Sequence, residues 1–106
     1  MSYYERELKE ARRDGARPQK NSGRGYHKGD AVLDNYFLID YKEAKKSFSL
    51  NERVWSKVST DAIGESLQPL LKIMLGERPI RLWVVPDYVM QELLEARKEL
   101  NAQGNQ

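Results

Sequence analysis

Two aspartates and a lysine, Asp30, Asp40 and Lys42, stand in short apolar stretches where a charge serves no packing role. Along an extended segment successive side chains point to opposite faces. Phe37, Ile39 and Tyr41 therefore share one face, and Leu38, Asp40 and Lys42 share the other. Two charges beside Leu38 are costly if packing is the only aim, because a buried charge without a partner is strongly disfavoured. Two carboxylates on adjoining strands, with an amine next to them, suit a hard divalent cation and a reacting phosphoryl oxygen. The chemistry indicated is metal-assisted phosphodiester hydrolysis. The plainer readings are an Asp40–Lys42 ion pair on an edge strand and an Asp30 that caps a turn after Gly29.

The elements that must position these residues are legible in the pattern. Residues 4–14 have helical spacing, with Leu8 and Ala11 inward and Gly15 as a stop. Residues 16–29 contain Pro18 and three glycines, which predicts a flexible basic loop with at most a short strand. Residues 30–33, the turn-prone pair Asp34-Asn35 and residues 36–42 read as a hairpin. Residues 47–50 suggest another extended piece. Asn51 is a suitable N-cap for a helix carrying Val54, Trp55, Val58 and Ala62 up to Gly64. Residues 70–75 form a largely buried strand ended by Gly76, and an Arg78-Pro79 turn leads to an antiparallel partner at 80–85. Pro86-Asp87 opens a last helix with Tyr88, Val89, Leu93, Leu94 and Ala96 as its apolar stripe. Residues 101–106 read as a frayed tail. This order predicts one α/β domain over residues 1–106, a central mixed sheet flanked by helices.

Composition narrows the classes. A chain of 106 residues with 40% hydrophobic and 32% charged residues suits a single soluble globular domain with one modest core. Its apolar runs fall far short of the roughly 20 residues that cross a bilayer, and residues 1–7 lack an apolar leader segment. The absence of cysteine excludes disulfides and thiolate chemistry and points to an intracellular setting. The net charge of +2 is unevenly spread. Between Arg12 and Lys28 six basic residues face one acidic residue, leaving that window at +5 and the remainder of the chain at −3. Such a cluster, interleaved with glycines, Tyr26 and His27, suits a phosphate backbone, although a solvated loop would read the same way.

Taken with the string Glu5-Arg6-Glu7-Leu8, the basic segment Asn21-Ser22-Gly23-Arg24-Gly25, the pair Gly29-Asp30 and the triplet Asp40-Tyr41-Lys42, the chain resembles the PD-(D/E)XK nuclease superfamily. Within it the resemblance is to the small archaeal and phage-type Holliday junction resolvases, and covers residues 5–58. Lys45-Lys46-Ser47-Phe48-Ser49-Leu50 looks like the segment that phage-type members carry before their second helix. Two positions depart from the pattern: aspartate stands at 40, where glutamate is commoner, and Gly29 replaces the proline of the motif name.

The resemblance implies a restriction-endonuclease-like fold and a magnesium-dependent endonuclease that makes paired cuts in four-way DNA junctions, with manganese able to substitute. It implies Asp30, Asp40 and the Tyr41 backbone carbonyl as metal ligands, and Glu5 as a further carboxylate, directly or through water. Physical reasoning alone does not separate Glu5 from Glu7, and either one or two ions fit this set. Lys42 is expected to orient the attacking water or neutralise developing charge. Ser22, Arg24 and Lys28 are the expected phosphate contacts, extended by Arg17, Lys20, Lys45, Lys46 and Ser47. Glu7 and Glu10 are expected on the solvated helix face, and His27 as a phosphate contact or inert. The implied partners are branched duplex DNA and a second copy, since a junction of near two-fold symmetry suits a two-fold dimer. Neither an organic cofactor nor a membrane is implied, and the setting is the cytoplasm of a bacterial or archaeal cell. A nicking or restriction-like nuclease of the same superfamily is the nearest alternative, and a non-catalytic DNA-binding module is the alternative of a different class.

Overall fold

The hairpin expected around Asp34-Asn35 forms and sets the register of the sheet. Strands β2 (Gly25–Leu33) and β3 (Phe37–Ala44) run antiparallel, with Leu33 opposite Phe37 and Asp30 opposite Asp40. Asp34 and Asn35 take positive φ of 57° and 51°, and the Tyr36 N–H donates to the Leu33 carbonyl at 3.1 Å. Asp and Asn tolerate this left-handed geometry, which suits the twist of the flanking strands. The structure, a computed structural model, describes residues 3–21 and 25–104, and the side chains of 5–19 and 30–104.

Strand β1 (Arg17–Asn21) pairs antiparallel with β2 at the outer edge, with a register break between Pro18 and Lys20. Extended structure within 16–29 goes beyond the short strand expected there: the backbone of 17–21 and 25–29 is a strand pair, and 22–24 lie outside the described residues. Pro18 lacks an N–H, but an edge strand does not need every donor.

Beyond β3, residues 47–50 are irregular rather than extended, although Phe48 packs inward. Helix α2 (Glu52–Gly64) starts at Asn51, whose side chain accepts the Val54 N–H at 2.9 Å. Strand β4 (Gln68–Leu75) then runs parallel to β3, making α2 the crossover that a parallel pair requires. Gly76, at φ 87°, turns the chain towards β5 (Ile80–Val84), antiparallel to β4. The sheet order is β1-β2-β3-β4-β5, so β3 is central. The fold is a single small α/β domain with a five-stranded mixed sheet.

Helix α1 (Tyr3–Arg13) covers one sheet face, where Ala11 and Ala16 join Ala31, Ile39, Tyr41 and Leu70. Helix α2 covers the other, with Ala62 against Val32 and Leu38, and Val58 against Leu71 and Ile73. Ile39 and Leu71 are fully buried, and each contributes about 1.5–3 kcal/mol.

The α1 face also buries an ionic network. Lys72, only 1% exposed, sits in β4 amid apolar neighbours. Its Nζ is 2.7 Å from Glu10 Oε2, 2.7 and 2.8 Å from the two Asp14 oxygens, and 4.8 Å from the centre of the Trp83 ring. Tyr41 donates its hydroxyl to Asp14 Oδ2 at 3.0 Å, and Arg81 donates to both Glu10 oxygens at 2.6 and 3.2 Å. Burial alone would raise the Glu10 pKa, but the hydrogen bonds from Arg81 and Lys72 outweigh it and hold the carboxyl below its ordinary range. Burial and the Asp14 charge push the Tyr41 hydroxyl far up. Glu10 is therefore not the solvated helix-face charge expected of it: it is 6% exposed and ties α1 to the sheet.

Helix α3 (Asp87–Gly104) corrects two further expectations. Of its apolar stripe only Val89 enters the core, beside Val85, while Tyr88 reaches Gln68 through a hydrogen bond. Residues 90–104 are all exposed, and among the described residues no other helix or strand packs along them. The helix also runs through 101–104, where a frayed tail was expected; 105–106 lie outside the described residues. Among the described residues no helix is long and apolar enough to cross a membrane.

Candidate active site

Strand alternation and hairpin register together assemble the site. Asp30 on β2 and Asp40 on β3 are directly opposed partners, so their side chains leave the sheet on the same face. That face is covered by α2, since Leu38 packs there while Tyr41 faces α1. Lys42, two residues on from Asp40, shares it and brings Nζ to 3.3 Å from Asp40 Oδ1. The Asp40–Lys42 ion pair of the plainer reading is present, but not its edge placement, and the turn-cap reading of Asp30 does not hold. Asp40 is 8% exposed on the central strand, not on an edge, and Asp30 lies within a ladder rather than at a turn.

The electrostatics of the pair are strained. Burial, and then the charge of Asp40 across the ladder, raise the Asp30 pKa to about 7. Burial also raises the Asp40 pKa, against the opposing pull of Lys42 and Lys57. Asp40 Oδ1 is buried and accepts no hydrogen bond, Lys42 lying at ion-pair distance without bonding geometry. Two facing carboxylates, one with a buried oxygen that accepts no hydrogen bond, gain from a cation that replaces lost hydration. This donor set fits a magnesium ion that keeps several of its waters.

A small cavity of about 270 Å³ opens beside the site, lined by Asp40, Lys42, Asn51, Arg53 and Lys57 among others. Lys57 and Asp61, an ion pair at 3.3 Å on α2, both influence the aspartates: Asp61 raises the Asp30 and Asp40 pKa values, and Lys57 lowers them. Sequence reasoning missed these two. Their i,i+4 spacing on the helix that covers Leu38 is the signal that could have found them.

The remaining site residues expected from sequence are dispersed. Glu5 stands exposed in the first turn of α1, the helix on the opposite face, and among the described residues no three His, Asp or Glu side chains gather as a metal-holding group. The cause is the docking of α1 through Ala11, Glu10 and Asp14 onto the Tyr41 face, whereas alternation sends Asp40 to the other. Arg17 is exposed on edge strand β1, and Lys45, Lys46 and Ser47 are exposed just after β3. Lys20, His27 and Lys28 have described backbone only, and Ser22 and Arg24 lie outside the described residues.

One consequence concerns stability without metal. The folded chain keeps a proton on Asp30 up to about pH 7, whereas an unfolded aspartate loses it near 4. The folded state thus binds more protons across that interval, and stability falls as pH rises through it, levelling off above about 7. Asp30→Asn removes the burden, so in EDTA at pH 8 it should stabilise the fold by about 2 kcal/mol after allowance for partial exposure. The gain should shrink to about 0.5 kcal/mol at pH 4.5, just above the unfolded pKa. Denaturant melts of both proteins at the two pH values check this, and a gain independent of pH would refute it.

Comparison with known proteins finds no matching family model, no matching curated protein and no matching solved structure.

Proposed function

We propose that this protein is a magnesium-dependent, structure-selective DNA endonuclease that resolves four-way junctions, working in the cytoplasm on a restriction-endonuclease-like version of the α/β fold. One observation carries the reading: two carboxylates, Asp40 buried and Asp30 half-buried, face each other across neighbouring strands with an ammonium group 3.3 Å from Asp40. A purely structural sheet has no use for this arrangement, which raises both aspartate pKa values.

Asp30, Asp40 and the Tyr41 carbonyl would hold the ion, with water completing its shell. When bound, the ion supplies Lewis-acid polarisation and charge neutralisation at the phosphorus oxygens. Lys42, its side chain 41% exposed, faces the open side of the pair, where it can neutralise charge developing on the scissile phosphate. Arg17, Lys45 and Lys46 offer exposed charge to the DNA backbone. Glu5 is left out of the ligand set.

The test is incubation of the purified chain with a synthetic four-way junction, a flap and a linear duplex, each with magnesium, manganese or calcium. Paired symmetrical nicks in the junction, in magnesium or manganese, are the expected result. Cleavage of the linear duplex at an equal rate would favour the restriction-like alternative. DNA binding that is steeply salt-dependent, indifferent to divalent ions and accompanied by no incision would replace the enzyme with a binding module.

A further inference from the structure

Eight of the eleven exposed large hydrophobic residues among those described lie between Ile80 and Leu100, on β5 and α3. All eight, from Ile80 and Trp83 to Leu93 and Leu100, are more than 40% exposed. Residues 90–104 form four turns of helix that no other described helix or strand covers. A helix of that length is marginal in water unless an apolar face is buried.

The spacing specifies what buries it. Val89, Leu93, Ala96 and Leu100 follow each other at intervals of four, three and four, the seam of a two-stranded coiled coil. Val89 begins the seam where it docks α3 to the body, and the others continue it outward. In this frame Glu92 precedes one seam residue and Arg97 follows the next, which are the flanking positions that meet between strands. Two parallel copies bring Glu92 of one helix to Arg97 of the other, twice by symmetry. A parallel arrangement also sets the two bodies side by side at the helix bases, on the sheet face where Val89 docks and where β5 exposes Trp83. An antiparallel pair would leave that surface uncovered.

We propose that α3 is the dimerisation arm of this protein and that it takes a second copy of the same chain in a parallel pair, with β5 at the base of the interface. The proposal stands independently of the cleavage reading, because it rests on no residue of the site.

The chain has no cysteine, so a single introduced thiol reports on geometry. Under mild oxidation Leu100→Cys should form a disulfide-linked dimer with itself, while Gln91→Cys, on the outer face, should not. Glu92→Arg and Arg97→Glu should each weaken self-association about tenfold by sedimentation, and the double reversal should restore it. These residues lie beyond the last turn that touches the body, so unchanged far-ultraviolet circular dichroism from the sheet should accompany every variant. A chain that remains monomeric at about 10 μM, a Leu100→Cys dimer that fails to cross-link, or single reversals without effect would each overturn the proposal.

Discussion

Asp40→Asn should reduce magnesium-dependent incision of a four-way junction on the order of a thousandfold while leaving the chain folded. The substitution is isosteric and removes charge from an oxygen that is buried and accepts no hydrogen bond. Since Asp40 is a group whose charged form burial disfavours, its neutral replacement should leave the melting temperature at pH 8 unchanged or higher. Loss of activity at intact stability separates a ligand from a structural residue, which would lose both. DNA affinity measured in EDTA should be unchanged or somewhat higher, because the substitution removes a negative charge from a cavity that Lys42, Arg53 and Lys57 also line. Activity retained to within about threefold would remove Asp40 from the chemistry and with it the endonuclease reading.

Lys72→Met should produce the largest loss of stability of any single change discussed, about 3–5 kcal/mol. Removing the ammonium strands Asp14, whose oxygens it held at 2.7 and 2.8 Å, leaves Tyr41 bonded to an uncompensated carboxylate, and leaves Glu10 to Arg81 and Arg13. For a domain of this size total stability is about 5–15 kcal/mol, so the variant should melt lower by 15 °C or more, roughly, and sit close to unfolding at body temperature. The cause is the isolated negative charge and not the lost cation as such. Adding Glu10→Gln and Asp14→Asn to Lys72→Met should therefore recover much of the loss, since replacing a whole buried ionic group costs far less than breaking it. Thermal melts of the single and triple variants check this, and equal destabilisation of both would show that packing, not charge, holds α1 down.

Local chemistry made part of this fold readable. Alternation along β3, the Asp34-Asn35 turn, the Asn51 cap and the Gly76 turn each depend on a few adjacent residues, and all appear in the structure. Elements that depend on distant partners were harder. The strand pairing of 17–21 with 25–32 hides behind Pro18 and the glycines, because edge position excuses a residue that a central strand would reject. Lys72 lies within an apolar run that reads simply as a buried strand. Its charge has somewhere to go only because Glu10 and Asp14, four apart, flank Ala11 on the inward face of α1. That spacing was visible, but pairing it with a residue some sixty positions away required the sheet. The stripe on α3 was legible as a stripe, yet nothing local distinguishes a face that meets the core from one that meets another molecule. For the site, the Asp30–Asp40–Lys42 grouping followed from alternation, whereas exclusion of Glu5 depended on which sheet face α1 chose.

The bend at Asp34-Asn35 has a bearing on how this protein can change over time. Side chains on a strand repeat every two residues, so inserting or deleting one residue there would slip β2 against β3 and turn Asp30 away from Asp40. An exposed surface bend is ordinarily where length variation is harmless. Here descendants of this chain should exchange Asn, Asp and Gly at those left-handed positions but hold their number constant, because the spacing of two acidic groups several positions away is counted out by that short reversal.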